Sequence, residues 1–577
     1  MYTCSIESRD YSSWTFFESA NETPLSITPY ENKLFDGDTF TMPLSTIRIV
    51  SSSVRDNINI PGVLILENSR CYGRTENKKR LLYKCRPYNP KLPCFLIPYD
   101  MQVGFNKNHK NKYITFRFNS WVEKHPIGML SQCLGDVYDL PAFYEYQLYC
   151  KNLHSSITGS INACKTKLRS HLVEFYEKQI FEDVDRFGPI LRLDKTKEYI
   201  FSIDPSGCLD RDDAISIQEI ETQGQGQEYR VSVYIANVWV WLEVLDLWNV
   251  IGTRVSTMYL PDKKRPMLPI AIGEELCSLD ERKVRFAWQM EFRVVDDPVL
   301  GMKINERIAP TLTACSIRVN KNFAYESTNL LSNSHYMLLK RISQQLDPSI
   351  KDSHEVVSFW MTQMNIFAAR QMKCREIGIF RVLEQKATNE KEQEKEKEKD
   401  KEKTKSEQFL QIWESHVSGK YVMYQRENQY QHALLNVSEY IHFTSPIRRM
   451  VDLLNQIYWV YRVVQPKTRS TEMESFLEAQ TKAIQDLNEK MKNTRKVQTD
   501  CELLHKFSTN SDLLNLSFTG IILESSDNKY KIYVEAFGNV VSVISSKPLK
   551  IYDKVSCKFF VFNNEDKMYK KVRVQLI

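Results

Sequence analysis

Four aspartates within ten residues carry the strongest chemical signal in the sequence: Asp204, Asp210, Asp212 and Asp213. Asp204 ends one apolar stretch and Asp213 begins the next, with Pro205 marking a loop between them. Carboxylates this close repel one another at neutral pH, and burial beside apolar strands raises their pKa values. A hard divalent cation removes this conflict, and carboxylate oxygens suit Mg²⁺ or Mn²⁺. The sequence therefore predicts a metal site here, and the alternative is an acidic turn exposed to solvent.

A second candidate site is the stretch HFTSPIRR, which ends at Arg449. Ser445 is a good helix N-cap and Pro446 suits the first helical position, so a helix is predicted to begin there. Arg448 and Arg449 then lie in the first turn, where cations oppose the helix dipole. A bound phosphate would explain them, because free N–H groups and arginine together bind anions. The alternative is that both arginines pair with acidic residues, either Asp452 or the aspartate cluster.

The hydrophobic pattern predicts the elements that position these residues. Strands are predicted at residues 199–203, 214–217 and 229–236, which form a meander around the aspartates. Helices are predicted to begin at Ser353, near Ile447 and at Thr471. The fold that carries the candidate chemistry should thus combine a sheet with packed helices.

Small β-barrels are predicted at both ends of the chain. Short β-like runs divided by turn residues fill residues 1–155, and five further strands follow residue 516. The last segment, from residue 516 onward, holds ten Lys or Arg and six acidic residues, about +4 of the total charge of +6. With exposed aromatics it would make a platform for single-stranded nucleic acid, and the alternative is a structural barrel that is incidentally basic. The aromatic candidates are Tyr530, Tyr533, Phe537 and Phe560.

Whole-chain composition excludes several classes of protein without identifying a function. The 577 residues are 42% hydrophobic and 26% charged, as in ordinary globular proteins. The 13 cysteines contain no CxxC pair, so we expect unpaired thiols in a reducing compartment, the cytoplasm or alternatively the nucleus. No HExxH motif and no apolar N-terminal segment occur, which argues against a zinc protease and a signal peptide.

A low-complexity run of Lys and Glu lies at residues 389–408. Its signs nearly cancel, with seven Lys against eight acidic residues between Glu390 and Glu407. Such a segment cannot form a core, so we expect a solvated loop or a helical spur. The alternative is an RNA-binding arm.

The two candidate sites together resemble the RNB family, the catalytic domain of ribonuclease II and of the hydrolytic exonuclease of the eukaryotic exosome. Residues 203–214 match the family motif IDxxxxxDxDDA with every aspartate, and residues 442–449 match HFTSPIRR in full. Residues 259–269 match YLPxxxxPMLP, and the nearby LCSL also matches. The similarity covers about residues 185–470, and the outer segments resemble the cold-shock-type and OB domains of the exosome-type subgroup.

The resemblance implies an α+β multidomain fold of OB-type barrels around an RNB catalytic domain, which combines a mixed sheet with helices. The expected domains are a partial first cold-shock-type OB barrel (1–60), a second such barrel (61–155), a helical linker (156–184), the RNB catalytic domain with the disordered charged insertion 389–408 (185–510), and a C-terminal OB-fold RNA-binding domain (515–577).

The resemblance also implies a function, the processive 3′–5′ hydrolysis of single-stranded RNA to nucleoside 5′-monophosphates. By motif match, Arg448 stabilises charge on the scissile phosphate, Arg449 lies beside it on the RNA, and Tyr259 stacks on the terminal base. The expected partner is single-stranded RNA, and no membrane partner is expected. The protein is expected to be a monomer, with an exosome-like assembly left open as the alternative. Alternatives are a catalytically inactive RNA-binding regulator on the same scaffold and, with less support, a DNA nuclease. The implied Mg²⁺ ligands, which also position the attacking water, are Asp204, Asp210, Asp212 and Asp213.

Several positions depart from the family pattern. They spare the aspartates and Arg448, so the resemblance implies that they affect the grip on RNA and the rate more than the chemistry. The substituted positions are Ser358 and Phe359 in place of two glutamates, Asn237 in place of an aspartate, and Tyr234, Val240 and Leu383 in place of histidines.

Overall fold

A computed structural model gives the arrangement of most of the chain. It describes residues 1–18, 21–43, 46–67, 70–75, 79–100, 109–193, 198–220, 227–252, 254–297, 301–383, 419–526, 528–565 and 567–577. The predicted Lys/Glu insertion 389–408 lies outside these residues. The described chain divides into two compact units, Met1–His154 with Leu260–Lys263 and Arg495–Ile577, and Ser155–Tyr259 with Lys264–Thr494.

Two β-structures open the first unit. The first is a five-stranded sheet in the order β3-β2-β1-β4-β5, and the second closes into a barrel in the order β10-β8-β7-β6-β9. Alternating apolar residues on both fill one core, in which Phe35 stacks on Phe95 at 5.8 Å. The strands are β1 (Tyr2–Ile6), β2 (Trp14–Glu18), β3 (Asn21–Glu22), β4 (Thr39–Thr41), β5 (Arg48–Ser51), β6 (Ile60–Leu64), β7 (Leu81–Pro87), β8 (Phe95–Tyr99), β9 (Lys112–Ser120) and β10 (Ile127–Asp136). Helices α1 (Ser53–Asp56) and α2 (Leu140–Cys150) accompany them.

The second unit is built around a sheet of eight strands. Seven follow the order β11-β19-β17-β14-β13-β12-β20, and β18 pairs with β17. The predicted meander is confirmed, because β12, β13 and β14 overlap the three predicted strands. The strands are β11 (Leu191–Arg192), β12 (Ile200–Asp204), β13 (Asp213–Ile220), β14 (Glu228–Ala236), β17 (Val284–Asp297), β18 (Gly301–Ile304), β19 (Leu312–Arg318) and β20 (Lys321–Ala324), with two short hairpins, β15 (Met258–Tyr259) with β16 (Lys264–Arg265) and β21 (Ile379–Val382) with β22 (Lys420–Met423).

Helices pack on this sheet and share its core. Helix α9 begins at Ser353 as predicted, but its N-cap is Asp352, whose carboxylate accepts the Glu355 N–H at 2.8 Å. The cap of α11 is likewise Ser470, one residue before the predicted Thr471. The helices are α3 (Thr158–Ser170), α4 (Val173–Glu182), α5 (Val184–Phe187), α6 (Val238–Val244), α7 (Thr328–Leu331), α8 (Ser334–Leu346), α9 (Ser353–Cys374), α10 (Met450–Trp459), α11 (Thr471–Lys482) and α12 (Ile484–Thr509), which begins in this unit.

The predicted helix start at Ser445 and Pro446 is wrong, because α10 begins at Met450 with Arg449 as its N-cap. Ser445 instead opens a turn, in which its carbonyl accepts the Arg449 N–H at 2.9 Å. Arg449 is extended (φ −135°, ψ 125°) and forms a β-bridge with Ser256. Pairing with a segment almost 200 residues away in sequence thus overrides the local capping signal.

Five strands form the C-terminal part of the first unit, as the sequence predicts. Their order is β25-β24-β23-β26-β27, and Phe559 of β26 is fully buried and stacks on Phe507 at 4.6 Å. The strands are β23 (Phe518–Ser526), β24 (Lys529–Val534), β25 (Asn539–Ile544), β26 (Lys554–Asn564) and β27 (Tyr569–Leu576). In the parts of the chain that are described, no helix is both long and apolar enough to cross a membrane.

Candidate active site

The sheet of the second unit places the aspartates at the ends of two neighbouring strands. Asp204 is the last residue of β12 and Asp213 the first residue of β13, and the two strands pair antiparallel. The loop between them returns the chain so that the Asp212 carbonyl accepts the Ala236 N–H at 2.8 Å. This hydrogen bond attaches the end of the acidic loop to β14.

The carboxylate of Asp204 is buried and held by its own strand. It accepts a hydrogen bond from the Ser202 hydroxyl at 2.7 Å, and the Asn322 amide donates to that hydroxyl at 2.8 Å. The Arg211 Nε lies 3.6 Å from Asp204 Oδ2. Burial raises the pKa of Asp204 to about 6, with the Asp210 charge adding to it, although Ser202 and Arg211 act in the opposite direction.

Asp212 connects the acidic loop to the HFTSPIRR turn. One carboxylate oxygen accepts the Ile447 N–H at 2.9 Å, and the other accepts the Arg448 Nε–H at 2.9 Å. Burial raises the pKa of Asp212 to about 7, even though Arg448 and the Ile447 N–H lower it. The same ion pair raises the pKa of Arg448, although burial alone would lower it. Residues 236 positions apart thus meet in one charged pair.

Asp213 has the least compensated charge of the four. Burial, and next the charges of Asp204 and Asp212, raise its pKa well above the ordinary value. Among the described residues, no group donates a hydrogen bond to its carboxylate. Its oxygens are therefore open to an additional cation.

Asp210 lies in the loop and is contacted by a cation and a phenol. Lys264 Nζ is 2.9 Å from Asp210 Oδ1 and 2.7 Å from Glu274 Oε1. The Tyr259 hydroxyl lies 3.5 Å from the other Asp210 oxygen, and 47% of Tyr259 is exposed. The structure therefore brings Tyr259 to the acidic cluster, as the motif match requires for a stacking residue, and adds Lys264.

Buried polar side chains fix the turn that carries Arg448. Asn365 of α9 accepts the Phe443 N–H at 2.9 Å. From α10, Asp452 accepts the Ser445 N–H at 2.7 Å and Asn455 donates to the His442 carbonyl at 2.9 Å. Because Asn365, Asp452 and Asn455 are all nearly inaccessible to solvent, these hydrogen bonds hold the turn in one conformation.

Arg449 pairs with Asp452 rather than with the four clustered aspartates. Its Nη2 donates to Asp452 at 2.8 Å, and its Nη1 lies 3.4 Å from the His442 ring. The alternative of internal pairing thus describes both arginines, Arg448 with the acidic cluster and Arg449 with Asp452. In this structure Arg449 supports the turn, and its contact with RNA stays a prediction.

Sequence reasoning missed several residues of the site. Tyr325 follows β20, which pairs in parallel with β12 so that its N–H donates to the Asp204 carbonyl at 3.1 Å. Burial, then the charges of Asp213 and Asp204, raise the pKa of its phenol. Only the pairing of two strands distant in sequence places Tyr325 here. Arg211 and Lys264, in contrast, lie inside matched stretches, residues 203–214 and 259–269, and could have been noticed as cations among carboxylates.

Two of the positions that depart from the family pattern have structural roles. The Asn237 side chain accepts the Val240 N–H at 3.3 Å and caps helix α6. The Tyr234 hydroxyl is buried and donates to Glu198 at 2.8 Å. At these two positions the substituted side chains are accommodated by hydrogen bonds without altering the aspartates.

The acidic cluster fits a divalent cation by its chemistry. All its ligand atoms are carboxylate oxygens, and three of the four pKa values are raised by burial, which means that the buried negative charge is not fully compensated. In the side-chain positions described, however, no group of three or more His, Cys, Asp or Glu is arranged around one point as metal ligands are. Arg211, Lys264 and Arg448 contact three of the four carboxylates instead.

Comparison with protein families matches the RNB domain at residues 192–347 and 337–465. The DIS3-like exonuclease 2 of Schizosaccharomyces pombe is 26% identical over 239 residues, which are 37% of this chain and 23% of that protein. The exosome complex exonuclease dis3 of the same organism is 36% identical over 105 residues, 17% and 10% of the two chains. Exoribonuclease 2 of Actinobacillus succinogenes is 31% identical over 121 residues, 21% and 18%. The matched stretches thus span less than a quarter of each relative.

Solved structures show the same fold over more of the chain. RNase R of Mycoplasma genitalium in complex with ribose-methylated single-stranded RNA has a TM-score of 0.64 at 14% identity and covers all of both chains. Yeast Ssd1, described as a pseudonuclease, has a TM-score of 0.57 at 16% identity over 90% of this chain and 70% of its own. At these identities the likeness concerns the fold, and it confirms the α+β multidomain class with β-barrels and an RNB domain.

Proposed function

We propose that this chain, as a member of the RNB family, is an exoribonuclease. Its reaction is the processive hydrolysis of single-stranded RNA from the 3′ end to nucleoside 5′-monophosphates. The observation on which this proposal rests is the ion pair between Arg448 Nε and Asp212 Oδ2, which are 2.9 Å apart. This pair brings the two family motifs together at one place. A carboxylate cluster beside an arginine is the arrangement that phosphodiester hydrolysis needs. The RNA complex of the structurally similar RNase R supports single-stranded RNA as the substrate.

The proposed cofactor is Mg²⁺, with Mn²⁺ as the chemical alternative, held by Asp204, Asp210, Asp212 and Asp213. The charges on Asp204 and Asp213 support this proposal, because burial keeps their pKa values raised despite the neighbouring arginines and a divalent cation would lower them. When bound, such an ion activates water and neutralises charge on a phosphate. Asp210 is paired with Lys264, so its participation requires that Lys264 turn toward Glu274 alone.

The protein's own groups would do the remaining work. Arg448 has about half of its side chain exposed and is oriented by Asp212, so its free guanidinium nitrogen can stabilise charge that develops on a phosphate oxygen. Tyr259 presents an exposed ring beside Asp210 on which a base can stack. Stacking accepts any base, so selectivity follows strandedness and sugar rather than sequence.

The test is Mg²⁺-dependent shortening of a 5′-labelled single-stranded RNA by purified protein, compared with Asp212→Asn. We expect a ladder of shortened products with the wild type and none with Asp212→Asn, because the amide cannot accept both the Ile447 N–H and the Arg448 Nε–H. No shortening by the wild type would refute the enzyme. Equal shortening by Asp212→Asn would reveal a contaminant or a different site.

Glu243→Gln serves as the matched control. Glu243 is a buried carboxylate of the same unit, paired with Arg186 at 2.9 Å and bonded to the Trp248 ring N–H at 2.7 Å, and it makes no contact with the aspartates. Retained activity in this variant shows that loss in Asp212→Asn comes from the site and not from removal of a buried charge.

A second candidate function is RNA binding without hydrolysis. One observation favours it: Arg211, Lys264 and Arg448 already compensate three of the four aspartates, as they would in a site that needs no metal. The structural likeness to the pseudonuclease Ssd1 is compatible with either function, since it concerns the fold alone. The same assay separates the two, because this candidate predicts RNA binding with no shortening at any Mg²⁺ concentration.

A further inference from the structure

The last two strands of the chain carry an unusual distribution of charge. Strands β26 and β27 together contain five Lys or Arg and no Asp or Glu. Side chains of an antiparallel pair alternate between the two faces of the sheet, and residues directly opposite each other share a face. On one face lie Phe559 and its neighbours in the barrel core. On the other lie three cross-strand pairs, Lys558 with Gln575, Phe560 with Arg573, and Phe562 with Lys571.

This outer face, which we term the hairpin face, combines exposed rings with cations. Phe560 is 45% exposed, although a phenylalanine this accessible loses favourable burial. The Arg573 guanidinium lies 4.2 Å from the centre of the Phe562 ring, and Lys571 and Arg573 are both exposed. No ion pair is found for Lys558, Lys571 or Arg573 among the described residues. Phe560 is thus exposed beside Lys571 and Arg573, while the half-buried Phe562 reaches the same face with Arg573 over its ring.

Positive charge continues beyond the hairpin face within the same unit. Lys567 Nζ lies 4.4 Å from the centre of the Tyr88 ring, and Lys151 Nζ lies 5.7 Å from the same ring. Burial, and next the charges of Lys151, Lys571 and Lys496, lower the pKa of Lys567. Asp500 is the acidic side chain that faces this group, 3.8 Å from Lys496. Among the described residues, these four lysines and Asp500 leave a surplus of positive charge next to Lys571.

The opposite side of the barrel carries a weaker form of this combination. In OB folds the second and third strands commonly bind oligonucleotides, and here these are β24 and β25. Their outer face carries Lys529, Lys531 and Tyr533, and Lys531 is neutralised by Glu524 at 2.6 Å. Its most exposed apolar residue is Ile544, which cannot stack on a base. The usual face of the fold is therefore the weaker candidate in this chain.

We propose that the hairpin face binds single-stranded RNA, with Phe560 and Phe562 stacked on bases and Lys558, Lys571 and Arg573 on phosphates. The choice of RNA rests on the proposed function. Unpaired bases are required, because a ring can stack on a base only where the base is not enclosed in a duplex. The binding surface is thus formed by the fourth and fifth strands of the barrel and extends toward Tyr88.

The test measures the affinity of the full chain for a 5′-fluorescein-labelled oligoadenylate by anisotropy, in EDTA so that no cleavage occurs. We expect Phe560→Ala to weaken the Kd about five-fold or more, as loss of one base stack does, and Phe560→Tyr to retain the affinity. A duplex RNA of the same length should compete poorly. Unchanged affinity in the combined variant Phe560→Ala and Phe562→Ala, with melting temperature preserved, would overturn the proposal.

Charge reversal supplies a test that does not depend on packing. Arg573→Glu and Lys529→Glu change the net charge equally at exposed positions on the two sides of the barrel. We expect a loss only from Arg573→Glu. Equal losses of affinity in the two variants would show a general electrostatic effect. A changed sedimentation coefficient without changed affinity would show that the face mediates self-association. Either result would overturn the proposal. Binding by a wild type that does not shorten RNA would refute the proposed activity and leave the hairpin face in place.

Discussion

The acidic cluster and the hairpin face are both concentrations of one sign of charge, but they differ in how the charge is compensated. In the cluster, Arg211, Lys264 and Arg448 come from separate parts of the chain and contact three of the four carboxylates. On the hairpin face the cations come from two adjacent strands, and among the described residues one acid, Asp500, acts on one of them, Lys571. Asp204 and Asp212 of the cluster are buried, whereas Phe560, Lys571 and Arg573 of the hairpin face are exposed.

The physical reason for the difference is the cost of burial. A buried charge without a partner is expensive, so the fold supplies counterions or raises the pKa until the group can be neutral. An exposed charge is solvated by water and needs no partner. Cations inside the cluster therefore follow from stability, whereas unpaired cations on the hairpin face are available for a ligand.

Arg448→Ala should produce the largest effect on either region. It removes the group that would stabilise developing charge and leaves Asp212 with one donor, so the rate of RNA shortening should fall about 100- to 1000-fold. Single-turnover assays measure it. Arg426→Ala is the control, because Arg426 is 79% exposed and pairs with Glu376 away from the cluster. A rate unchanged by Arg448→Ala would exclude this arginine from the chemistry.

Addition of Mg²⁺ should stabilise the protein through the cluster alone. At a concentration of about 100 times the Kd, a ligand that binds only the folded state adds about 2.7 kcal/mol. We expect the melting temperature at pH 8 to rise with Mg²⁺ in the wild type and in Lys571→Gln, and to respond weakly in Asp213→Asn. Equal responses of the two variants would place the ion elsewhere.

A fall in pH should destabilise the second unit, which contains the acidic cluster, because this unit also contains a buried histidine. Burial, and next the charge of Arg381, lower the pKa of His432 to about 4. In the part of the chain that is described, no hydrogen bond reaches its ring, which packs on Tyr440. Because the folded pKa lies below the ordinary value of about 6.5, stability is lost as the pH falls below 6.5, by about 2 kcal/mol at pH 5.

His432→Phe should remove this component, since phenylalanine does not titrate. Denaturant titrations at pH 7.5 and pH 5 measure the difference between the variant and the wild type. His171→Phe changes an exposed histidine and is the control. The same pH dependence in the wild type and His432→Phe would show that another group is responsible.

The smallest effect should appear in the salt dependence of RNA binding. Each phosphate contact on a single strand contributes about 0.7 to the slope of log K against log salt. Lys571→Gln should therefore flatten the slope by about that amount, and Lys529→Gln should leave it unchanged. Equal slopes in both variants would remove the distinction between the two sides of the barrel.

The sequence predicted more of the site's membership than of its arrangement. The aspartates could be found because they end and begin apolar runs, and strand periodicity is a local property. Tyr325 could not be found, because its position depends on the parallel pairing of β20 with β12. The helix start at Ser445 was wrong because its capping signal is local, whereas the β-bridge between Arg449 and Ser256 is not.

By itself, the sequence determined the strands around the aspartates and in the C-terminal segment, the two family motifs and the surplus of cations on the last two strands. Each of these follows from residues close together in the chain. Tertiary structure decided that Arg448 pairs with Asp212 while Arg449 turns to Asp452, that Lys264 contacts Asp210, and that Phe560 and Phe562 lie on the outer face of β26 while Phe559 is buried. Counterion choice depends on distances between remote segments after folding, and no local pattern encodes those distances.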